Sequence, residues 1–282
     1  MYNAGRYIAQ CLESIIYQTH EDIEIIVVND GSADNSAEIV EQYIARDSRI
    51  RLINQSNSGV ATARNNGLNS VNLTGGYIHF RDADDYLYDL DYYEKMLSTA
   101  IATDADITRS GLYDESAGYS WLKYDHSYIA KTLDDKIKMY LMPVWTSLFK
   151  LSFLKDNNLH FDTALSQSDD MVLNWEATVL ANKIAVCPHV LYYYRKTEGS
   201  LVNANNEQAQ IRRTRERALR FEKLVALQKK YNFVIPTPAK PVPLITKYKL
   251  FSVLTLLTKK AFPSKLKYYL FGVLPVLTVK GR

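Results

Sequence analysis

Cysteines are few in this sequence, and long hydrophobic runs are missing. Cys11 and Cys187 are its two cysteines and lie far apart, so we expect neither a disulfide framework nor a cysteine metal site. No apolar run approaches the roughly 20 residues that cross a bilayer, which argues against a transmembrane span. The first residues also lack the charged and apolar regions of a secretory signal. These absences favour a protein of the reducing cytoplasm.

Acidic residues are missing after Glu222, which divides the chain electrostatically. Of 34 lysines and arginines, 12 follow Glu222, leaving 22 basic against 31 acidic residues in 1–222. A nucleic-acid-binding protein carries its basic surface on the folded domain. An acidic body with a basic tail therefore argues against nucleic acid as a partner.

Helical and strand patterns alternate through the first half of the chain. Residues 5–17 have isoleucine and leucine at helical spacing, whereas EIIVV at 24–28 is a β-branched run typical of a buried parallel strand. Further strands are predicted at 51–54 and 77–80, each preceded by a helix. Strands separated by helices predict an α/β fold with a mostly parallel sheet, in which ligands gather at the carboxyl ends of the strands.

Three aspartates, Asp82, Asp84 and Asp85, follow the last of these strands. Mg²⁺ and Mn²⁺ prefer oxygen ligands and bind through one or two carboxylates together with phosphate oxygens. Alternate residues of a strand point the same way, so we expect Asp82 and Asp84 on one side. An isolated D-x-D is most often an acidic turn, but its position after three βα units favours a divalent metal site.

Two further acidic features each have two interpretations. Asp30 ends the run EIIVVND, where its carboxylate can bind a base or ribose, or can form a turn or cap a helix. Asp169 and Asp170 begin a predicted helix, where acidic residues are favourable as caps. One of the pair can instead act as a general base if the fold brings it to the metal site. The residues alone leave these alternatives open.

Several motifs in register resemble family 2 glycosyltransferases with the GT-A fold, from the first residues to about Ser200. They are Tyr2-Asn3, EIIVVNDGSADNS, NSGVATARNNGL, GGYIHFRDADDY, SDD and YYYR. The resemblance implies a Rossmann-like, mostly parallel sheet with helices on both faces. It also implies inverting transfer, in which an acceptor hydroxyl deprotonated by a carboxylate displaces the nucleotide of a nucleotide-sugar donor.

The resemblance also implies roles for single residues. Those expected at the nucleotide sugar are Tyr2, Asn3, Asp30, Arg64, Asp82 and Arg195. Asp30 would contact uracil, and Arg64 would line the pocket or pair with Asp30 or Asp82. Asp84 would bind Mn²⁺ or Mg²⁺ directly, with Asp82 as the ribose-side partner, and Asp170 would be the general base.

Two more residues and three departures bear on this prediction. Arg195 lies where a late loop can close over the diphosphate, and Trp145 is expected in the core rather than in an acceptor wall. Asp169 replaces the usual glutamate, and WTSLFK replaces a common Trp-Asn-Lys-Leu pattern. The family normally opens with a buried central strand, whereas this sequence begins Met1-Tyr2-Asn3. We therefore expect either residues upstream or a truncated form with an open sheet.

The chain is expected to divide into a catalytic domain, residues 1–205, and a helical extension, residues 206–282. A long charged helix is predicted at 206–231, followed by a proline-rich linker. Beyond Pro241, apolar runs bracketed by lysines predict a basic amphipathic tail on the inner face of the membrane, near a lipid-linked acceptor. Packing of the tail on the catalytic domain, or a dimer contact, is the alternative.

The expected activity is transfer of a hexose-type sugar, with UDP favoured as the nucleotide, to a glycan or lipid-linked acceptor in surface polysaccharide or lipopolysaccharide synthesis. A phosphohydrolase using the first aspartate of D-x-D as nucleophile would need threonine or valine at Tyr86. The other alternative is a catalytically impaired homologue that only binds nucleotide sugar or acts as a scaffold.

Overall fold

The computed structural model describes residues 1–71, 76–115, 118–121, 128–137, 143–166, 169–197, 207–233, 248–249, 266–270 and 273–279. Two compact units, Met1–Tyr248 and Lys249–Arg282, make up the chain. The first unit begins with α1 (Ile8–Ile16), β1 (Ile25–Asp30), α2 (Ser36–Ile44), β2 (Ile50–Gln55), α3 (Val60–Asn69), β3 (Tyr77–His79), β4 (Tyr86–Leu87) and α4 (Tyr92–Thr103). It continues with β5 (Ile107–Asp114), β6 (Tyr119–Trp121), β7 (Tyr128–Ala130), α5 (Leu133–Ile137), a 3₁₀ turn (Val144–Thr146), β8 (Ser147–Lys150), α6 (Leu151–Asp156), α7 (Asp169–Leu180), β9 (Ile184–Tyr194) and α8 (Glu207–Tyr231).

β1 and β2 form a parallel pair of strands, as the buried apolar run predicts. Ile25 lies opposite Ile50, and Asp30 lies opposite Gln55. Both strands therefore end at the same edge. That edge is where ligands bind in folds of this kind.

The first residue lies against β1. The Met1 ammonium donates a hydrogen bond of 2.7 Å to the Val28 carbonyl oxygen, and the Met1 carbonyl accepts one of 2.9 Å from the Asp30 N–H. Burial lowers the pKa of this ammonium group, while the charges of Asp82 and Asp30 oppose that shift. Met1 thus extends main-chain pairing at β1, and the expectation of a further upstream strand stays a prediction.

The second sheet is mixed rather than mostly parallel. Its strand β5 is antiparallel to β6 and β8 and parallel to β9. β3 pairs with β8, and β4 and β7 pair with β9, all antiparallel. Apolar strand patterns report burial and not direction, so the reversal at β8 has no signal in the sequence. The α/β class and the helices that flank the sheets are confirmed.

A shared hydrophobic core joins α1, both sheets and α4, and Leu12, Val27, Met96 and Phe149 are among its buried members. Burial of each such side chain stabilises the fold by roughly 1.5–3 kcal/mol before entropy is subtracted. The core holds the strand ends rigidly, which allows polar residues at those ends to keep fixed positions.

The predicted long charged helix is confirmed as α8. Its Leu227, together with Phe233 just beyond the helix, packs with Val172 and Trp175 of α7 in a smaller apolar cluster. The helix therefore belongs to the first compact unit, whereas the boundary at residue 205 stays a prediction.

The described part of the tail is not helical. β10 (Tyr248–Lys249) crosses the division between the units in sequence, and β11 (Leu266–Leu270) and β12 (Val273–Val279) form an antiparallel pair. Valine and tyrosine favour strands, which explains why the expected helix is wrong for these residues. The predicted linker and the apolar run at 250–257 lie outside the described residues. In the part of the chain that the structure describes, no helix is long and apolar enough to span a membrane.

Candidate functional site

Arg64 of α3 connects two acidic motifs that are far apart in the sequence. Its Nη2 lies 2.5 Å from Asp82 Oδ1, and its Nη1 lies 2.8 Å from Asp169 Oδ2. Its guanidinium carbon also lies 5.3 Å from the centre of the Phe161 ring. The predicted ion pair with Asp82 is thus present, and the fold brings the D-x-D motif and the Asp169–Asp170 pair together.

Asp169 and Asp170 have different environments at the start of α7. The side chain of Asp169 is 3% exposed and is paired with Arg64. For Asp170, burial raises the pKa to about 6, with Arg64 lowering it and Asp169 raising it. The described residues show an ion pair for Asp169 and none for Asp170. A carboxylate without a fixed cation and with a pKa near neutrality is suited to accept a proton, whereas Asp169 is suited to hold Arg64.

Asp84 lies in the loop between β3 and β4, with few direct contacts to its carboxylate. The Thr197 hydroxyl donates a hydrogen bond of 3.3 Å to Asp84 Oδ2. Burial raises the pKa of Asp84, and the negative charge of Asp82 raises it further. A cation beside both carboxylates would relieve this repulsion.

Asp85, the third aspartate of the group and the one without a predicted role, is the buried residue of the same loop. Its Oδ2 accepts a hydrogen bond of 2.8 Å from the Tyr192 hydroxyl, and its Oδ1 accepts one of 2.8 Å from the Arg195 N–H. Burial raises the pKa of Asp85 to about 8, and Asp82 and Asp84 act in the same direction. Asp85 therefore faces β9 rather than a ligand.

Arg195 is held beside the D-x-D motif. Its Nε donates to the Asp84 carbonyl oxygen over 2.7 Å, and its Nη2 donates to Gln10 Oε1 over 2.6 Å. Its guanidinium carbon lies 5.1 Å from the Tyr7 ring centre and 5.2 Å from that of Tyr86. These contacts bring its positive charge close to Asp84, and its predicted contact with the diphosphate stays a prediction.

Asp30 holds the turn that leads into α3. Its Oδ1 accepts hydrogen bonds of 2.7 Å from Gln55 Nε2 and 2.7 Å from the Ser58 N–H, and its Oδ2 accepts one of 3.0 Å from the Gly59 N–H. Gly59 has φ of 89°, a conformation that favours glycine. Asp30 thus fixes a turn that is distant in sequence rather than forming a local turn or helix cap of its own, and its contact with uracil stays a prediction.

Tyr2 and Asn3 lie next to the turn that follows β1. The Asn3 N–H donates to Ser32 Oγ over 3.0 Å, and Asn3 Oδ1 accepts from the Ala33 N–H over 2.9 Å. Tyr2 is 54% exposed and is accessible to a flat ligand. Their predicted place beside the base remains a prediction.

The carboxylates fit a metal that also binds phosphate. Among the described residues, no group of three or more His, Cys, Asp or Glu is arranged to hold a metal by itself. Asp84 and Asp82 instead offer two neighbouring hard oxygen donors, the number that Mg²⁺ typically takes from a protein when phosphate supplies the rest. The residues present therefore fit Mn²⁺ or Mg²⁺ bound together with a diphosphate.

Of the aromatic residues that pack behind the site, Trp145 was predicted from the sequence but its two tyrosine neighbours were not. Trp145 is buried, as expected, with its ring centre 4.6 Å from that of Tyr192 and 5.1 Å from that of Tyr194. The run YYYR on a strand places alternate tyrosines on one side, and this period is the signal that identifies Tyr192 and Tyr194 as a pair.

The chain is similar in sequence to known glycosyltransferases. The sequence profile "Glycosyl transferase family 2" matches residues 1–159. The chain is 36% identical over 216 residues to glycosyltransferase GlyA of Streptococcus pneumoniae, covering 71% of this chain and 30% of GlyA. It is 33% identical over 211 residues to the uncharacterized glycosyltransferase EpsJ of Bacillus subtilis, covering 71% of this chain and 60% of EpsJ. The chain thus spans less than two thirds of either relative.

A solved structure shows the same fold. TarS residues 1–349 from S. aureus, in complex with UDP-GlcNAc, matches with a TM-score of 0.63 and 23% identity, covering 74% of this chain and 67% of that chain. This likeness supports the mixed α/β fold. Because the family profile matches more than half of its length, this chain belongs to glycosyl transferase family 2.

Proposed function

We propose that this chain transfers a hexose-type sugar from a nucleotide diphosphate sugar, with UDP as the nucleotide, to a glycan or lipid-linked acceptor of the cell surface. The observation that carries the proposal is the double ion pair of Arg64 with Asp82 and Asp169. It joins a motif suited to metal and diphosphate to an acidic pair suited to proton transfer. The UDP-GlcNAc complex of TarS supports UDP as the nucleotide.

Asp170 is the proposed general base. Its carboxylate takes the proton of an acceptor hydroxyl while the hydroxyl oxygen forms a bond to the anomeric carbon of the sugar. The bond between that carbon and the diphosphate oxygen breaks in the same step, so configuration inverts. Asp169 keeps its ion pair with Arg64 and holds the start of α7 in place.

Asp84 and Asp82 are the proposed ligands of Mn²⁺ or Mg²⁺. The bound cation would neutralise negative charge that develops on the departing diphosphate. The nearby guanidinium of Arg195 adds a positive charge on the side of the Asp84 carbonyl. Tyr2, Asn3 and Asp30 form the proposed nucleotide end of the pocket.

The basic tail is proposed to bring this site to the inner face of the membrane. No acidic residue follows Glu222, and lysines flank apolar runs that contain tyrosine, phenylalanine and leucine in 248–271. Basic residues near anionic headgroups contribute on the order of 1 kcal/mol each, and aromatic side chains favour the interface. Such docking would hold the enzyme near a lipid-linked acceptor.

A donor screen tests the proposal. Thermal unfolding is measured with UDP-, GDP-, CDP- and dTDP-sugars, each with and without Mn²⁺, and nucleotide release is then followed with candidate acceptors. A ligand at about 100 times its Kd stabilises by about 2.7 kcal/mol, which corresponds to roughly 5–10 °C for a chain of this size. We expect Mn²⁺-dependent stabilisation by a UDP-sugar. If no nucleotide sugar stabilises the chain and none is turned over, the proposal is wrong.

A further inference from the structure

The loop that carries Asp82 and Asp84 is attached to β9 through the third aspartate of the motif. Asp85 is 1% exposed, and both of its carboxyl oxygens are hydrogen bonded to β9 or to the residue that follows it. A buried carboxyl group is unfavourable unless donors converge on it. The loop is therefore held to β9 by the two groups that donate hydrogen bonds to the Asp85 carboxyl group.

The first donor is the hydroxyl of Tyr192, which contacts two positions of the loop. It donates to Asp85 Oδ2 over 2.8 Å and accepts a hydrogen bond of 3.4 Å from the Asp82 N–H. The Tyr192 ring is fully buried and packs against Trp145 and the guanidinium of Arg81. A ring held in this way keeps its hydroxyl at one point beneath the loop.

The second donor is the main chain of Arg195, and the Arg195 side chain donates a further hydrogen bond to the same loop. The Arg195 N–H donates to Asp85 Oδ1, while the Arg195 side chain donates to the Asp84 carbonyl oxygen. The backbone of the loop is thereby fixed at Asp82 and Asp84, the two proposed metal ligands. Their own carboxylates take no part in these backbone bonds.

We propose that Asp85 and Tyr192 are positioning residues of the transfer reaction, which set the backbone of the metal-binding loop so that the carboxylates of Asp82 and Asp84 converge on one cation. This inference rests on the proposed function. Partners that orient metal ligands typically change metal affinity or activity about 10–100-fold when they are replaced.

The test compares UDP binding with and without Mn²⁺ by calorimetry. Tyr192→Phe removes one hydroxyl and keeps the ring, and Tyr113→Phe is the matched control, since Tyr113 lies on β5 with its ring against Tyr193. We expect Tyr192→Phe to reduce the tightening by Mn²⁺ about 10–100-fold, with metal-free UDP binding unchanged. Tyr113→Phe should respond to Mn²⁺ like the wild type.

A second pair of variants separates positioning from loss of fold. Asp85→Ala removes both acceptors, whereas Asp85→Asn keeps one for the Arg195 N–H, so asparagine should recover part of the Mn²⁺ response lost with alanine. A full Mn²⁺ response in Tyr192→Phe, or an equal loss in Tyr113→Phe, would overturn the inference alone. Wild-type chain that binds UDP equally with and without Mn²⁺ would overturn the proposed metal site and this inference with it, whereas the donor screen decides separately on sugar transfer.

Discussion

Replacement of Arg64 by methionine is expected to destabilise the fold strongly. The side chains of Arg64, Asp82 and Asp169 are 13%, 30% and 3% exposed, so Asp169 has the least access to water. Removing one partner of a buried ion pair costs about 3–5 kcal/mol because the other charge stays buried. At roughly 2–4 °C per kcal/mol, this predicts a fall in Tm of about 6–20 °C.

The stability lost in Arg64→Met should depend on pH and should be larger at high pH than at low pH. Burial already raises the pKa of Asp169 while Arg64 lowers it, so without Arg64 that pKa rises further. A carboxyl group whose pKa is raised by folding weakens the folded state at pH values above that pKa. The penalty fades as pH falls through it. The stability difference from wild type should therefore shrink as pH is lowered through the raised pKa of Asp169 toward the ordinary range of a carboxyl group.

Two further variants make the measurement decisive. Lys95→Met breaks an exposed pair with Asp91, whose side chains are 44% and 40% exposed, and should change stability by less than about 1 kcal/mol. Adding Asp169→Asn to Arg64→Met removes the buried charge and should restore part of the loss. Denaturant unfolding at several pH values gives these differences. A loss in Arg64→Met no larger than that in Lys95→Met would refute the reasoning.

Three other predictions follow from the site and the tail. Asp170→Asn should lower kcat about a hundredfold to ten-thousandfold with the Kd for UDP unchanged, and wild-type turnover in this variant would assign the base elsewhere. Since burial raises the pKa of Asp170 to about 6, and the base must be ionised, kcat/KM of the wild type should fall as pH drops through about 6. The full chain should sediment with anionic vesicles at low salt more than a chain ending at Tyr248, where the first compact unit ends; equal sedimentation would remove the membrane proposal.

Local sequence patterns were sufficient to predict the helices and strands of the first half of the chain and to identify the family. The apolar composition of the segment that forms β1 predicts a buried strand. The charged segment that forms α8 is likewise recognisable as a helix from its own residues. The D-x-D motif was recognisable for the same reason, since it follows directly from the end of a strand.

The rest of the site depends on contacts between distant residues. Arg64 and Asp169 are 105 positions apart, and Asp85 and Tyr192 are 107 apart, so no local pattern pairs them. The reversed direction of β8 and the strand pair in the tail were likewise missed, because apolar content does not fix the direction of a strand or its choice over a helix.

The central claim is that Asp84 binds a divalent cation together with the diphosphate of the donor. Asp84 is well suited to a test, because among the described residues the side chain that hydrogen bonds to its carboxylate is Thr197, over 3.3 Å, so alanine disturbs the described structure little. Calorimetric titration of UDP into wild type and Asp84→Ala, each with and without Mn²⁺, measures the claim directly. The account predicts that Mn²⁺ tightens UDP binding in the wild type and has no effect in Asp84→Ala. Equal affinity and an equal response to Mn²⁺ in the two proteins would contradict it.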